Sequence, residues 1–270
     1  MTTTTLERPA TQSVAASRPA PAPIPFGRIV GVELRKMFDT RSGFWLLASI
    51  AIASVLATGA VILWAPENEL TYETFATAFG FPMSVILPMI AVLSVTSEWS
   101  QRSALTTFTL VPHRGRVIAA KAVCTVAIGV VGMALAAAIG AVGNVVGTTI
   151  AGVDTTWNVS MLELAHITLA SVLGMTVGFT LGALIRNSAG AIVAYFVFAL
   201  VLPGISSALA SSQVWWRDNG PWFDFNYASS ALYDGSMTGE QWAQLGTTTA
   251  IWVVVPLVIG LWTMLRSEVK

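Results

Sequence analysis

Apolar runs of about twenty residues, separated by short polar segments, recur along most of the chain. A helix rises about 1.5 Å per residue, so about 20 such residues cross the roughly 30 Å hydrocarbon layer of a bilayer. Six runs meet that length: 43–65, 74–97, 117–147, 164–185, 188–209 and 244–265. None shows the apolar and polar alternation of a transmembrane β-strand, the stretch from Ala48 to Ile62 being a plain example. The pattern predicts an all-α membrane protein with six transmembrane helices. Lys121 interrupts the third run near its start, where a long basic side chain is expected to snorkel toward the interface.

A different periodicity precedes the first run. Between Phe26 and Arg41, the residues Phe26, Ile29, Val30, Leu34, Met37 and Phe38 recur at steps of three and four and form one stripe, with Arg28, Arg35, Lys36 and Asp39 on the other side. Residues 26–42 are therefore expected to form an amphipathic helix lying in the membrane interface. Glu33 projects into the apolar stripe; it either reaches sideways to Lys36 or is presented to a basic group elsewhere. Residues 1–25, rich in Thr, Ala and Pro and without an apolar core, read as a disordered tail and not as a signal peptide or a span.

Composition and charge narrow the class. The chain has 270 residues, 54% of them hydrophobic and only 10% charged, too few charges to wet the surface of a soluble domain. Fourteen basic and fourteen acidic residues cancel, which argues against nucleic-acid binding through phosphate neutralisation. Thirteen of the fourteen Lys and Arg lie in segments 1–42, 98–121, 186–187 and 266–270, whereas the intervening loops hold Arg217 alone. The same loops carry Glu67, Glu69, Glu73, Asp154, Glu163, Asp218, Asp224, Asp234 and Glu240. The positive-inside rule then places both termini, including residues 266–270, in the cytoplasm. The lone Cys124 sits in an apolar run and reads as packing.

The segment from Ser97 to Lys121 carries the most specific pattern. Glu98-Trp99 is followed by Thr106-Thr107, a short apolar stretch, Pro112 with Arg114 and Arg116 beyond it, and Ala119-Ala120-Lys121 at the head of the third run. Together with Val32-Glu33-Leu34-Arg35-Lys36 and six spans with both ends inside, this resembles the permease subunits of type-two ABC exporters. The resemblance implies a cell-membrane, multi-pass transport subunit that is not itself an enzyme and binds no cofactor. ATP and Mg would sit on a partner ATPase, and a second permease subunit, identical or different, would complete a dimer within the lipid. In keeping with this, the sequence contains no G-x-x-x-x-G-K-[ST] motif. By position, Ser100 to Thr109 would be the coupling helix, and Glu33, Arg35, Lys36, Glu98, Arg102, Leu105 and Phe108 the ATPase-coupling residues. The pathway would run between two permeases, lined by the first, second and fifth spans. The alternative is a membrane scaffold or sensor subunit that transports nothing.

Inside the spans the residues speak of packing more than chemistry. Gly174, Gly178 and Gly182 form a ridge of small residues in the fourth span, and Gly132, Ala136 and Gly140 form another in the third; they are expected to pack together within one chain or between subunits. Pro82, Pro88, Pro203 and Pro256 each remove a helix hydrogen bond. No acidic or basic residue lies at the centre of a span, so an ion-driven relay is not expected, and a hydrophobic or amphipathic substrate fits better. Ser84, Ser94, Thr96, Ser206 and Ser207 are the hydroxyls available to such a pathway. Glu163 and His166 have the spacing of a di-iron motif but no second copy, so no metal site is expected and a wetted interfacial pair is the reading. Trp215, Trp216, Trp222 and Phe223 open an aromatic loop between the last two spans, expected at the outer leaflet as an outer gate or an anchor.

Overall fold

The computed structural model describes residues 24–39, 41–100 and 114–266. An isolated bridge between Thr71 and Thr156 is the one β feature among them, and helices make up nearly all the rest. The order is α1 (Phe26–Asp39), α2 (Arg41–Trp64), α3 (Tyr72–Ser100), α4 (Arg114–Ala151) and α5 (Met161–Ile185), followed by a broken pair of long helices. In the first of these, α6 (Ser188–Phe196) passes through a π-helical turn, Val197–Val201, into α7 (Leu202–Ser212). Short helices α8 (Val214–Asn219) and α9 (Phe225–Ser230) then lead to α10 (Gly239–Thr249), a second π-helical turn at Ala250–Val254, and α11 (Val255–Arg266).

Five helical stretches among the described residues are long and apolar enough to cross a membrane: Tyr72–Ser97, Gly115–Ala151, Met161–Ile185, Ser188–Ser212 and Gly239–Met264. The protein is thus an all-α, multi-pass membrane protein. The first apolar run lies in α2, where the described residues include the apolar stretch Ala48–Trp64. The tail at residues 1–23, Arg102, Leu105 and Phe108 of the expected coupling helix, and residues 267–270 lie outside the described residues.

Local chemistry explains where helices start and stop. Ser160 accepts from the Glu163 amide while the Glu163 carboxylate accepts from the Ser160 amide, a capping box that opens α5; Thr238 and Gln241 do the same for α10. Arg186 closes α5 in the left-handed region at φ 54°, and Asn187 then caps α6, so two residues suffice to reverse the chain.

The buried centre of the bundle is α3. Phe75, Phe79, Met83, Leu87, Val92 and Val95 are all at most 2% exposed. The glycine ridge of α5 lies on it, with Gly178 against Pro88 and Gly182 against Val92 and Val95. The small residues of α4 meet α3 as well, Gly132 at Leu87 and Gly140 at Phe79 and Tyr72. The two ridges expected to pack on each other instead clasp α3. The reason is steric and differs on the two sides: the α4 glycines leave room for the large Leu87, Phe79 and Tyr72 side chains, whereas the α5 ridge lets its backbone approach the Pro88 and Val92 carbonyl oxygens of α3.

Candidate functional site

Three arrangements join chemistry-bearing side chains in the described structure. The first is at the basic end of the bundle, where α1 lies along the opening turns of α4. Ile29 packs with Val117 and Ala120, the Arg116 guanidinium donates to the Ile24 carbonyl at 2.7 Å, and the Cys124 thiol approaches the Val30 carbonyl at 3.5 Å. Glu33 turns into this seam and is only 3% exposed. One carboxylate oxygen meets Lys36 Nζ at 2.7 Å and the other meets Lys121 Nζ at 2.6 Å. Lys121, 5% exposed, also donates to the Ser94 carbonyl of α3 at 2.8 Å. Both partners considered for Glu33 are therefore used at once. Lys121 does not snorkel, because an inward counter-charge and a carbonyl acceptor replace the water it would otherwise seek. Arg35 stays exposed, as do Phe26, Leu34 and Phe38, and Glu98 lies in the last turn of α3.

The second arrangement is a pair of joined cavities at the opposite, acidic end. The larger, about 880 Å³, lies against α3 between α4 and α5, and its apolar wall includes Phe79, Met83, Met133 and Ile167. Thr77, Ser84, Thr168 and Ser171 bring hydroxyls to it, and Glu73, Asn158, Glu163 and Tyr233 stand at the acidic end. The smaller, about 300 Å³, runs toward Tyr195, Phe198, Pro203 and Asn226. Met83, Ser84, Ser171 and Tyr233 line both, so the two cavities meet there. The Tyr233 phenol, with an ordinary pKa of about 10, is neutral at ordinary pH.

Of the expected pathway hydroxyls, only Ser84 lines these cavities. Ser94 donates to the Ala91 carbonyl and Thr96 to that of Val92, both buried toward the basic end. Ser206 accepts from the Trp216 indole at 3.0 Å, and Ser207 is exposed on the outside of α7. Glu163 is held by its capping box. His166 is not wetted: it is buried to 7% exposure and packs edge-on to Trp242, with ring centroids 5.7 Å apart. Among the described residues no group of three or more His, Cys, Asp and Glu side chains is placed to hold a metal ion.

The third arrangement repairs broken helices. Pro88 has no N–H for the Ser84 carbonyl, and the Tyr195 hydroxyl of α6 donates to that oxygen at 3.1 Å instead. The π turn before Pro203 directs the Leu202 amide to the Val197 carbonyl, leaving Phe198 opposite the missing proline N–H. The Asn226 amide of α9 fills that place at 3.0 Å. The second π turn, before Pro256, sits alongside, with the Phe198 and Trp252 rings 5.5 Å apart and the Trp252 indole donating to the Phe223 carbonyl at 2.7 Å. The aromatic loop thus does more than lie on a surface. Phe225 and Leu232 are buried at 3% and 0% exposure, whereas Trp215 stacks on Phe223 with both rings largely exposed. Replacing Asn226 by Leu should lower the unfolding midpoint, at a cost of about 1 kcal/mol, and Asn226→Asp, which sets oxygen against oxygen, should cost more. Equal midpoints for all three proteins would show the amide to be dispensable.

Glu73, Ser171, Tyr233 and Asn226 escape a reading of the sequence, since polar residues at helix ends and in loops, or a lone serine within a span, are ordinary and only the fold turns them toward a cavity or an open carbonyl. The proline positions carried the one usable signal, because each implied a carbonyl in need of a donor. Neither a comparison with protein-family models nor one with curated proteins yields a match for this chain.

Proposed function

We propose that the chain is the membrane-spanning permease subunit of an ATP-driven exporter of the type-two ABC class, which moves a hydrophobic or amphipathic cargo across the cell membrane with a separate ATPase and a second permease. The observation that carries the reading is the buried Glu33, held by Lys36 of its own helix and by Lys121 of α4. An amphipathic helix resting on apolar contacts alone can slide along a bundle. A carboxylate buried between two lysines fixes its register, and the Lys121 bond to Ser94 extends the tie to α3. A push on α1 from the cytoplasm then reaches the central helix directly.

In this reading α2 is the first of six spans, the basic end and both termini face the cytoplasm, and ATP and Mg bind the partner. The exposed face of α1, with Arg35, Leu34 and Phe38, receives the ATPase together with Glu98, Arg102, Leu105 and Phe108. Glu33 and Lys36 act from within, anchoring the helix that is pushed. Affinity purification of the full chain from its own membranes should bring down a protein with a Walker A motif, and the eluate should hydrolyse ATP. Purification to homogeneity without any ATPase, from gently solubilised membranes, would favour the scaffold reading instead.

The aromatic loop then stands at the exit. Trp215 and Phe223 project outward while their neighbours reach the π turns, so the loop and the broken helices should move together. Cys placed at position 222 in a Cys124→Ala background should cross-link between permease subunits with an efficiency that differs at least about threefold between nucleotide-free and ATP-analogue-trapped states. Identical cross-linking in a transporting complex would make the loop an anchor.

A further inference from the structure

The larger cavity has a property that the reading as an exporter does not supply: charge. Its walls are apolar, yet the exposed Glu73 and the partly buried Glu163 stand at its mouth, where it meets the acidic end. Glu73 accepts from the Asn158 side chain at 2.9 Å and Glu163 from the Ser160 amide at 2.6 Å, both neutral donors. A carboxylate offers about four acceptor positions, so each has capacity left over. Neither is in an ion pair with a described Lys or Arg, and the single cation of the intervening loops, Arg217, is turned to the Ala210 carbonyl.

We infer that this cavity is a binding site for an organic cation with an apolar body, such as a lipophilic quaternary ammonium or phosphonium. Three observations converge on that class. The volume, about 880 Å³, lies within the range of about 300–1,000 Å³ typical of small-molecule pockets. The wall of Phe79, Met83, Met133 and Ile167 offers dispersion and polarisable sulfur to an apolar body, with Thr77 and Thr168 hydroxyls among them. The rim provides negative charge without a built-in counter-ion, and the neutral Tyr233 ring, 57% exposed, offers a face on which a cation can rest. An anion would meet two carboxylates there, and a neutral molecule would leave them without the charge they attract. The cavity is lined by residues of a single chain, chiefly from α3, α4 and α5, and is partly open on one side, so the binding measurement uses neither a second subunit nor ATP and stands apart from the exporter reading.

The side chains allow a clean test. Gln retains an acceptor oxygen for Asn158 at position 73 and completes a capping box at position 163, so Glu73→Gln with Glu163→Gln removes charge and keeps the local fold. An added Cβ at Gly80, which lines the cavity, meets no atom within 4 Å, so Gly80→Phe fills the space without a backbone clash. The probe is radiolabelled tetraphenylphosphonium, measured at equilibrium on the full chain in phosphatidylcholine nanodiscs with empty discs subtracted.

Saturable binding is expected, weakened roughly tenfold or more in the double Gln variant and abolished in Gly80→Phe. Tetraphenylborate, the same shape with the opposite charge, should not compete. Glu67→Gln with Glu69→Gln, which neutralises carboxylates outside the cavity, should bind as the parent does. The assignment is overturned if the parent shows no saturable binding, if the double Gln variant binds like the parent, if tetraphenylborate competes equally, or if the Glu67 and Glu69 variant loses as much affinity. Loss in Gly80→Phe alone would mean an apolar site without charge selection, which also overturns it. None of these outcomes bears on ATPase co-purification, so the two proposals fail separately.

Discussion

Glu33→Ala is expected to cost about 3–5 kcal/mol of stability, the usual penalty for removing one partner of a buried ion pair. The loss should be read as detachment of α1, because this carboxylate is the counter-charge shared by Lys36 and Lys121. Lys121→Met should cost less, since Glu33 keeps its 2.7 Å contact with the half-exposed Lys36. Glu33→Lys should be the worst of the three, placing another positive charge beside Lys36 and Lys121 at a position only 3% exposed. The double variant Glu33→Met with Lys121→Met should recover most of the stability lost by Glu33→Ala, because two packed methionines ask for no counter-charge. Denaturant or thermal unfolding in detergent, followed by the accessibility of a label on α1, measures the set. Single variants within about 0.5 kcal/mol of the parent would mean that apolar contacts alone hold the helix.

The glycine ridge of α5 predicts a graded series. A Cβ at Gly178 would stand 2.7 Å from the Pro88 carbonyl oxygen, a backbone atom in the centre of the bundle that no rotamer change can move. Gly178→Ala should therefore destabilise by about 1–3 kcal/mol and Gly178→Leu should abolish the folded yield. Gly182→Ala meets Val92 O at 3.2 Å and should cost less, while Gly174→Ala, with nothing nearer than 3.7 Å, should be close to neutral. Gly129 sharpens the test. Its added Cβ would also meet an atom at 2.7 Å, but that atom is the Met175 sulfur, the flexible end of a side chain, so Gly129→Ala should cost little. Were Gly129→Ala and Gly178→Ala to cost the same, the contact with the α3 backbone would not be what makes the ridge necessary.

The apolar runs disclosed the long helices because burial in lipid requires nearly every residue of a span to be apolar, a demand that leaves a mark on each position separately. Boundaries moved outward by a few residues, as at Gly115–Ala151 and Met161–Ile185, since caps and polar first turns belong to the helix but not to the apolar run. Glu33 was legible as an anomaly, because a carboxylate in an apolar stripe needs a reason. Its second partner was not, for Lys121 lies far along the chain, and only the docking of α1 on α4 brings them together. The same holds for the cavities: Ser84 could be picked out as a hydroxyl in a span, whereas Ser94 and Thr96 look identical in sequence, yet Ser94 bonds to its own helix and Thr96 to its own helix and to Ser188 of α6. The π turns left no trace beyond the prolines that follow them.

The repair of the Pro88 break has a consequence for biosynthesis. Tyr195 is 111 residues beyond Ser84, so at about 5–20 residues per second the ribosome delivers the hydroxyl roughly 6–22 s after the carbonyl it serves. Asn226 follows Phe198 by only 28 residues, a delay of roughly 1–6 s. The helix around which the rest of the bundle packs is thus made early and receives its Tyr195 bond late, with α4 and α5 inserted in between. A nascent chain that stalls before Tyr195 presents membrane quality control with a central helix lacking that bond, whereas one that stalls after it has only the final hairpin left to seat.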